Sequence, residues 1–235
     1  MKKLTLTLIL LLAVWLSAAA QTMPTVDDVI NKYIEAIGGK NALMKVEDVT
    51  SQGLLQFNDT QAKIILKRKM PTKASTVITG DKGQLLYKNV VDGTNAVDIT
   101  QQGSNRQSKQ ATQLSLMYNR LFPELVYKEE GINSTLAGKE QIDGRDAYKI
   151  ISTFTNGTPL WTAYYDVATG LKVQSITVFE PNRTATLKTS DYRAVNGVKI
   201  PHQSTYQENG GGVSQTKITS IQVNKGISDA EFAIQ

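Results

Sequence analysis

QIDGRDAYKIISTFTNGTPLWTAYYDVATGLKVQSITVFEPNRTATLKTSDYRAVNGVKIPHQSTY, residues 141–206, decides the fold of this chain. It reads as strand pairs broken at Asp143-Gly144, Thr169-Gly170 and Asn196-Gly197. Asn-Gly and Asp-Gly between runs rich in Val, Ile, Tyr and Thr are hairpin signals, because both turn residues accept positive φ. Hairpins in succession make an antiparallel meander, and a meander needs apolar material on its buried face. Trp161, Tyr164, Tyr165, Leu171, Val173, Phe179 and Leu187 are expected to supply much of that face. In Leu171–Phe179 alternation sets Leu, Val, Ser, Thr and Phe on one side and Lys, Gln, Ile and Val on the other.

Working outward, Thr25 is placed to cap a helix whose apolar residues Val26, Val29, Ile30, Tyr33, Ile34 and Ile37 form one stripe. Asp27 and Asp28 suit its first turn, and Gly38-Gly39 its end. From Val49 the period changes to two. Strands are expected at Val49–Phe57, Ala62–Met70, Lys73–Thr79, Gln84–Val90 and Ala96–Thr100. A polar loop follows over 101–110, then a helix over Ala111–Phe122 ended by Pro123. Further strands are expected at Leu125–Lys128, Ile132–Ala137 and Val213–Val223, with the tail Ser228–Phe232 packing Phe232 back on the sheet.

Residues 1–20 read as a secretory signal peptide, with Lys2 and Lys3 before the apolar run Leu4–Leu16 and small residues at 18–20. The rest, 21–235, reads as one domain without a membrane span, exported to the periplasm of a Gram-negative cell. Cysteine is absent, so neither disulfides nor a cysteine-linked lipid anchor are available. Without Lys2 and Lys3 the net charge falls from +5 to +3, too small a bias to argue for nucleic acid.

No reaction is legible, and no cofactor or metal is expected. His202 is the only histidine, it follows Pro201 in a strand, and no G-x-S-x-G elbow presents a serine. Asp27-Asp28 and Glu129-Glu130 are adjacent in sequence and point apart, unlike facing glycosidase carboxylates. The informative segment is Lys63–Pro71. Alternation sets Lys63, Ile65, Lys67 and Lys69 on one face and Ile64, Leu66, Arg68 and Met70 on the other. Arg68 is thus a guanidinium on an apolar face. It either snorkels to water or stands at the mouth of a cavity, meeting a ligand headgroup or a lid carbonyl.

The helix at 26–39, the basic strand before Pro71, Y-Y-D-V-A-T-G-L-K-V at 164–173 and D-Y-R-A-V-N-G-V-K-I-P at 191–201 resemble the LolA/LolB-like superfamily of periplasmic lipoprotein carriers. The resemblance covers nearly all of 21–235 but rests on scaffold motifs. It implies an α+β fold: a strongly curved antiparallel half-barrel with helices covering its concave face around a cavity for acyl chains, and no enzymatic activity. Carriers of this kind often place an Arg directly before the proline, where this chain has Met70; Arg68 is the nearest substitute. The expected ligand-binding residues are Leu66, Arg68, Met117, Trp161, Tyr164 and Phe179. The expected partner is a hydrophobic ligand or lipoprotein acyl chain. An envelope sensor gripping a protein partner is the alternative, and an unrecognised hydrolase a third reading.

Overall fold

The computed structural model describes residues 23–180 and 182–234; the expected leader lies outside them. Thirteen strands form a single antiparallel sheet. They are β1 (Asp48–Phe57), β2 (Thr60–Lys69), β3 (Lys73–Thr79), β4 (Leu85–Val91), β5 (Ala96–Thr100), β6 (Gly103–Arg106), β7 (Ile132–Ile142), β8 (Arg145–Phe154), β9 (Pro159–Asp166), β10 (Lys172–Glu180), β11 (Arg183–Val195), β12 (Val198–Glu208) and β13 (Val213–Val223). The spatial order is β6-β5-β4-β3-β2-β1-β13-β12-β11-β10-β9-β8-β7, open at both edges. The first and last strands meet in the middle. The two free edges are joined by residues 107–131, which carry a helix across the concave face.

The turns follow from their residues. Asp143 and Gly144 have φ of 49° and 78°, and Asn196 and Gly197 have 49° and 84°, the doubly left-handed geometry that suits a twisted hairpin.

Helix α1 (Val26–Ala36) begins in a reciprocal box, with the Thr25 hydroxyl accepting from the Asp28 amide and the Asp28 carboxylate accepting from the Thr25 amide. It buries Val29, Ile30, Tyr33 and Ile34. A single turn, α2 (Lys40–Leu43), buries Leu43. These side chains join Val49, Ile132, Ile150, Phe154, Leu160, Ala163, Tyr165, Val198 and Val223 in the main core. Each large aliphatic buried there stabilises the fold by about 1.5–3 kcal/mol. The end of α1 is pinned to the β11–β12 turn: Ile37 accepts from the Lys199 amide at 2.7 Å. A Cβ on Gly38 would sit 2.5 Å from the Gly197 carbonyl oxygen, so only glycine admits this approach.

Helix α3 (Lys109–Tyr118), capped by Ser108, is shorter than the expected 111–122 and starts earlier. It bridges two apolar groups. Leu114 and Met117 enter the main core, while Leu116 packs on Ala74, Val91 and Ala96 of the opposite half.

Two expectations need correction. The expected strand at Leu125–Lys128 is a 3-10 helix, Pro123–Val126, followed by Tyr127. Proline at its start fixes a helical φ, and Tyr127 turns inward to accept from Trp161 Nε1 at 2.8 Å. The expected loop 101–110 contains β6, which pairs with β5 through the backbone; its four residues are exposed and show no apolar alternation. A further departure lies in β10, where a bulge between Lys172 and Gln174 breaks the period of two. It turns Lys172 inward and leaves Val173 on an outer groove. The tail behaves as expected: the 3-10 helix Asp229–Phe232 docks on the convex side of β3, with Phe232 1% exposed.

A half-filled concave face as the candidate ligand site

Cross-strand register identifies the concave face residue by residue. One row runs Val49, Arg68, Ala74, Val91, Ala96; the next runs Ser51, Leu66, Thr76, Asn89, Asp98; a third runs Ile64, Ile78, Tyr87. On the other wall Ser175, Leu187 and Tyr206 share a row, as do Thr177 and Ala185. Burial and the Asp98 carboxylate raise the Tyr87 phenol on β4, and Tyr206 on β12 and Arg183 on β11 lie near enough to act on it. In a flat sheet β4 and β12 would lie roughly 24 Å apart, five strand spacings. The sheet therefore curls until its walls face each other.

The bowl is filled unevenly. Under α1 the main core closes it. Toward β2–β5, Leu66, Ile78, Tyr87, Leu187 and Tyr206 belong to neither packed cluster and are only half-buried, although they point inward. A separate depression of about 340 Å³ lies away from these residues, between the first turns of α3 and the β8–β9 turn, lined by Lys109, Leu114, Phe154 and Asn156.

Polar side chains tie α3 to this wall. Asp98 Oδ1 accepts from Tyr87 Oη at 2.6 Å and Asn89 Nδ2 at 2.8 Å, and Asp98 Oδ2 accepts from Gln107 Nε2 at 2.9 Å. Gln107 Oε1 in turn accepts from Ser115 Oγ of α3 at 2.7 Å. At the opposite end of the crossing, the Glu124 side chain is 1% exposed and accepts from Lys172 Nζ at 2.6 Å and Tyr165 Oη at 3.1 Å. Its second oxygen finds no partner among the described residues. Lys172 Nζ also lies 5.3 Å from the centre of the Tyr33 ring. Burial, reinforced by the Glu124 carboxylate, raises the phenols of Tyr33, Tyr127 and Tyr165 well above their ordinary range and Tyr192 to about 12.

The predicted site residues divide three ways. Leu66 and Arg68 stand half-buried on the concave face of β2, outside both packed clusters. Phe179 stands at the rim with the Arg183 guanidinium 5.0 Å above its ring, and Arg183 is held by both oxygens of Glu208. Met117 and Trp161 face inward but are packed in the filled half. Tyr164 is a correction: it pairs with Lys149 and Gln174 on the convex face, where Lys149 Nζ sits 5.9 Å from its ring centre. Tyr165 takes the inward place, since neighbours in a strand point to opposite sides. Sequence reading missed Tyr87, Asn89, Asp98, Tyr118 and Tyr206. Asn89 and Asp98 interrupt Val- and Ile-rich strands, which was a visible signal; that they meet required the register.

Arg68 is half-buried on the concave face of β2, in a row with Val49, Ala74 and Val91. Burial lowers its guanidinium to about 10, opposed by the nearby Tyr118 phenol. Among the described residues its one side-chain hydrogen bond is from Nη1 to the neighbouring Lys67 carbonyl, at 3.2 Å. His202 is buried and its Nδ1 lies 2.9 Å from the carbonyl of Ile200 in its own strand. No cluster of three or more metal-ligating side chains occurs among the described residues, and none of their helices is long and apolar enough to cross a membrane.

No family model matches the sequence, and no curated protein does. Solved structures do match. A DUF1329 family protein from Desulfovibrio piger superposes with a TM-score of 0.61 at 14% identity, covering 90% of this chain and 98% of its own. A putative outer membrane lipoprotein-sorting protein domain from Vibrio parahaemolyticus gives 0.59 at 10% identity, covering 87% and 94%. A LolA superfamily protein from Nitrosomonas europaea gives 0.59 at 12% identity, covering 90% and 99%. With its open, curved antiparallel sheet and helices on the concave side, the chain has a LolA-like fold.

Proposed function

We propose that this protein is a non-enzymatic periplasmic carrier that binds the acyl chains of a lipid or lipoprotein in the unfilled half of its bowl, as a single domain once its leader is removed. The observation that carries this reading is the set of inward-facing, half-buried side chains Leu66, Ile78, Tyr87, Leu187 and Tyr206 outside both packed clusters. Covering such surface with hydrocarbon contributes about 0.8 kcal/mol per methylene. The structural likeness to a lipoprotein-sorting protein domain supports the same reading. Helix α3, joined to both free edges and tethered through Asp98, Gln107 and Ser115, is placed to act as the lid.

The test is native mass spectrometry with lipid extraction, on protein purified from a membrane-containing host. Wild type is expected to retain acyl lipid, and Leu66→Trp, which places an indole in the unfilled half, to lose it with little change in melting temperature. Protein that arrives empty from such a host would sink the carrier reading. A second reading, an accessory module gripping an envelope protein, draws on the unpaired edges of β6 and β7, which are available for strand addition. It predicts an empty protein that captures one partner and loses it when β6 is blocked by proline. Turnover abolished by His202→Ala would instead restore an enzymatic role.

A further inference from the structure

The charges of the concave face are nearly all answered from within. Lys172 meets Glu124, Arg183 meets Glu208, and both oxygens of Asp98 are taken by Tyr87, Asn89 and Gln107. Arg68 is the exception. It forms no ion pair among the described residues, and its row neighbours are Val49, Ala74 and Val91. Asp98 stands three strands away and one row off, roughly 14 Å by strand spacing alone. The lysines beside Arg68 in sequence offer no competition, because they point to the convex face, where Lys67 pairs with Glu231 and Lys69 with Asp229.

A guanidinium enclosed among apolar side chains is destabilising unless an anion meets it, and its planar fork matches a carboxylate or a phosphate. Tyr118 supplies a phenol beside it from α3. The surroundings decide how that anion must arrive. Leu66 shares the strand and face of Arg68, and Ile64 and Ile78 continue the apolar wall. We infer that the cargo is an anionic amphiphile whose carboxylate or phosphate headgroup pairs with Arg68 and Tyr118 while its chain lies along Leu66 and Ile78. This rests on the carrier reading and specifies the chemical class of what is carried. It also gives α3 a means of sensing occupancy, because Tyr118 belongs to the helix that closes the site.

The test is isothermal titration calorimetry of the mature protein with four probes: dodecyl phosphate, dodecanoate, dodecanol and inorganic phosphate. Wild type is expected to bind the two anionic amphiphiles at least about tenfold more tightly than dodecanol, as a charge-assisted hydrogen bond implies. Inorganic phosphate should bind more weakly than dodecyl phosphate. Arg68→Leu should abolish the preference and leave dodecanol affinity in place; Arg68→Lys should keep part of it. Equal affinity for charged and neutral chains in wild type would overturn the inference while leaving the carrier reading standing, and so would a preference that survives in Arg68→Leu. Inorganic phosphate binding as tightly as dodecyl phosphate would make this a free-anion site and overturn the assignment. Failure to bind any amphiphile would overturn the carrier reading and the inference together. Should Arg68→Leu not fold, the wild-type ranking and Arg68→Lys decide the matter.

Discussion

Glu124 shows how a single residue holds the crossing segment in place. It follows α3 by a few residues, yet its carboxylate is engaged by Lys172 of β10 and Tyr165 of β9. A buried ion pair is weak evidence of net stability, because both groups were desolvated to make it. Breaking it from one side is another matter. Lys172→Met is expected to lower stability by about 3–5 kcal/mol, since it strands a carboxylate that already has one unpartnered oxygen. The double variant Glu124→Leu with Lys172→Met should recover most of that loss. Urea denaturation of the two single variants and the double variant measures the coupling; a Lys172→Met midpoint equal to wild type would show that the pair holds nothing. Neither residue was legible as a partner in the sequence. Glu124 reads there as the first turn after Pro123, and strict alternation turns Lys172 outward. The β10 bulge reverses that face, and nothing local announces a bulge.

Secondary-structure elements were read better than contacts, because turn chemistry and periodicity are local. The turns at Asp143, Thr169 and Asn196, the cap at Thr25 and the strands from Asp48 to Thr100 follow from neighbouring residues. The failures were elements defined by something distant. β6 exists because β5 offers it a backbone edge, and Tyr127 leaves the strand period because Trp161 awaits it across the core. The C-terminal 3-10 helix is an intermediate case. Phe232 announced that it would dock, but its three ion pairs depend on which lysines face outward. Asp229 bonds Lys69 and Lys73, which hold its carboxyl down at about 2, below the ordinary 3.8. For an acid with a depressed folded pKa, the contribution is fully present above pH 3.8 and is lost as pH falls toward 2. This tail is therefore expected to loosen in that window ahead of the sheet. Amide exchange at Ala230 and Phe232, compared with Ile150 in the core, would measure it. Equal protection of both regions at pH 2.5 would contradict the mechanism, and Asp229→Asn should remove the pH step.

At the scale of the molecule, one sheet does two jobs with its two halves. Beneath α1 it is packed by aromatic and branched side chains and knitted by buried phenols; toward β2–β5 it leaves apolar surface half-covered. The division predicts which half carries the stability. Tyr33, Tyr127, Tyr165 and Tyr192 join α1, the crossing segment, β9 and β11, and all have phenols raised by burial near Glu124. A phenol whose folded pKa exceeds its unfolded value near 10 contributes fully below pH 10, and that contribution is lost as pH rises through the folded value. For Tyr192, raised to about 12, the loss by pH 12 is roughly 2 kcal/mol, and the other three add to it in the same direction. Against a total stability of about 5–15 kcal/mol, the filled half should fail cooperatively in this range. Tyrosinate absorbance at 295 nm and far-ultraviolet circular dichroism, followed together from pH 9 to 13, should show the late phenols ionising with loss of the sheet. A smooth titration of all nine tyrosines near pH 10 with the sheet intact would mean that these phenols are not locked in the core. Tyr192→Phe should move the alkaline transition upward while leaving amphiphile affinity unchanged, because its hydroxyl donates to the Lys172 carbonyl in the filled half.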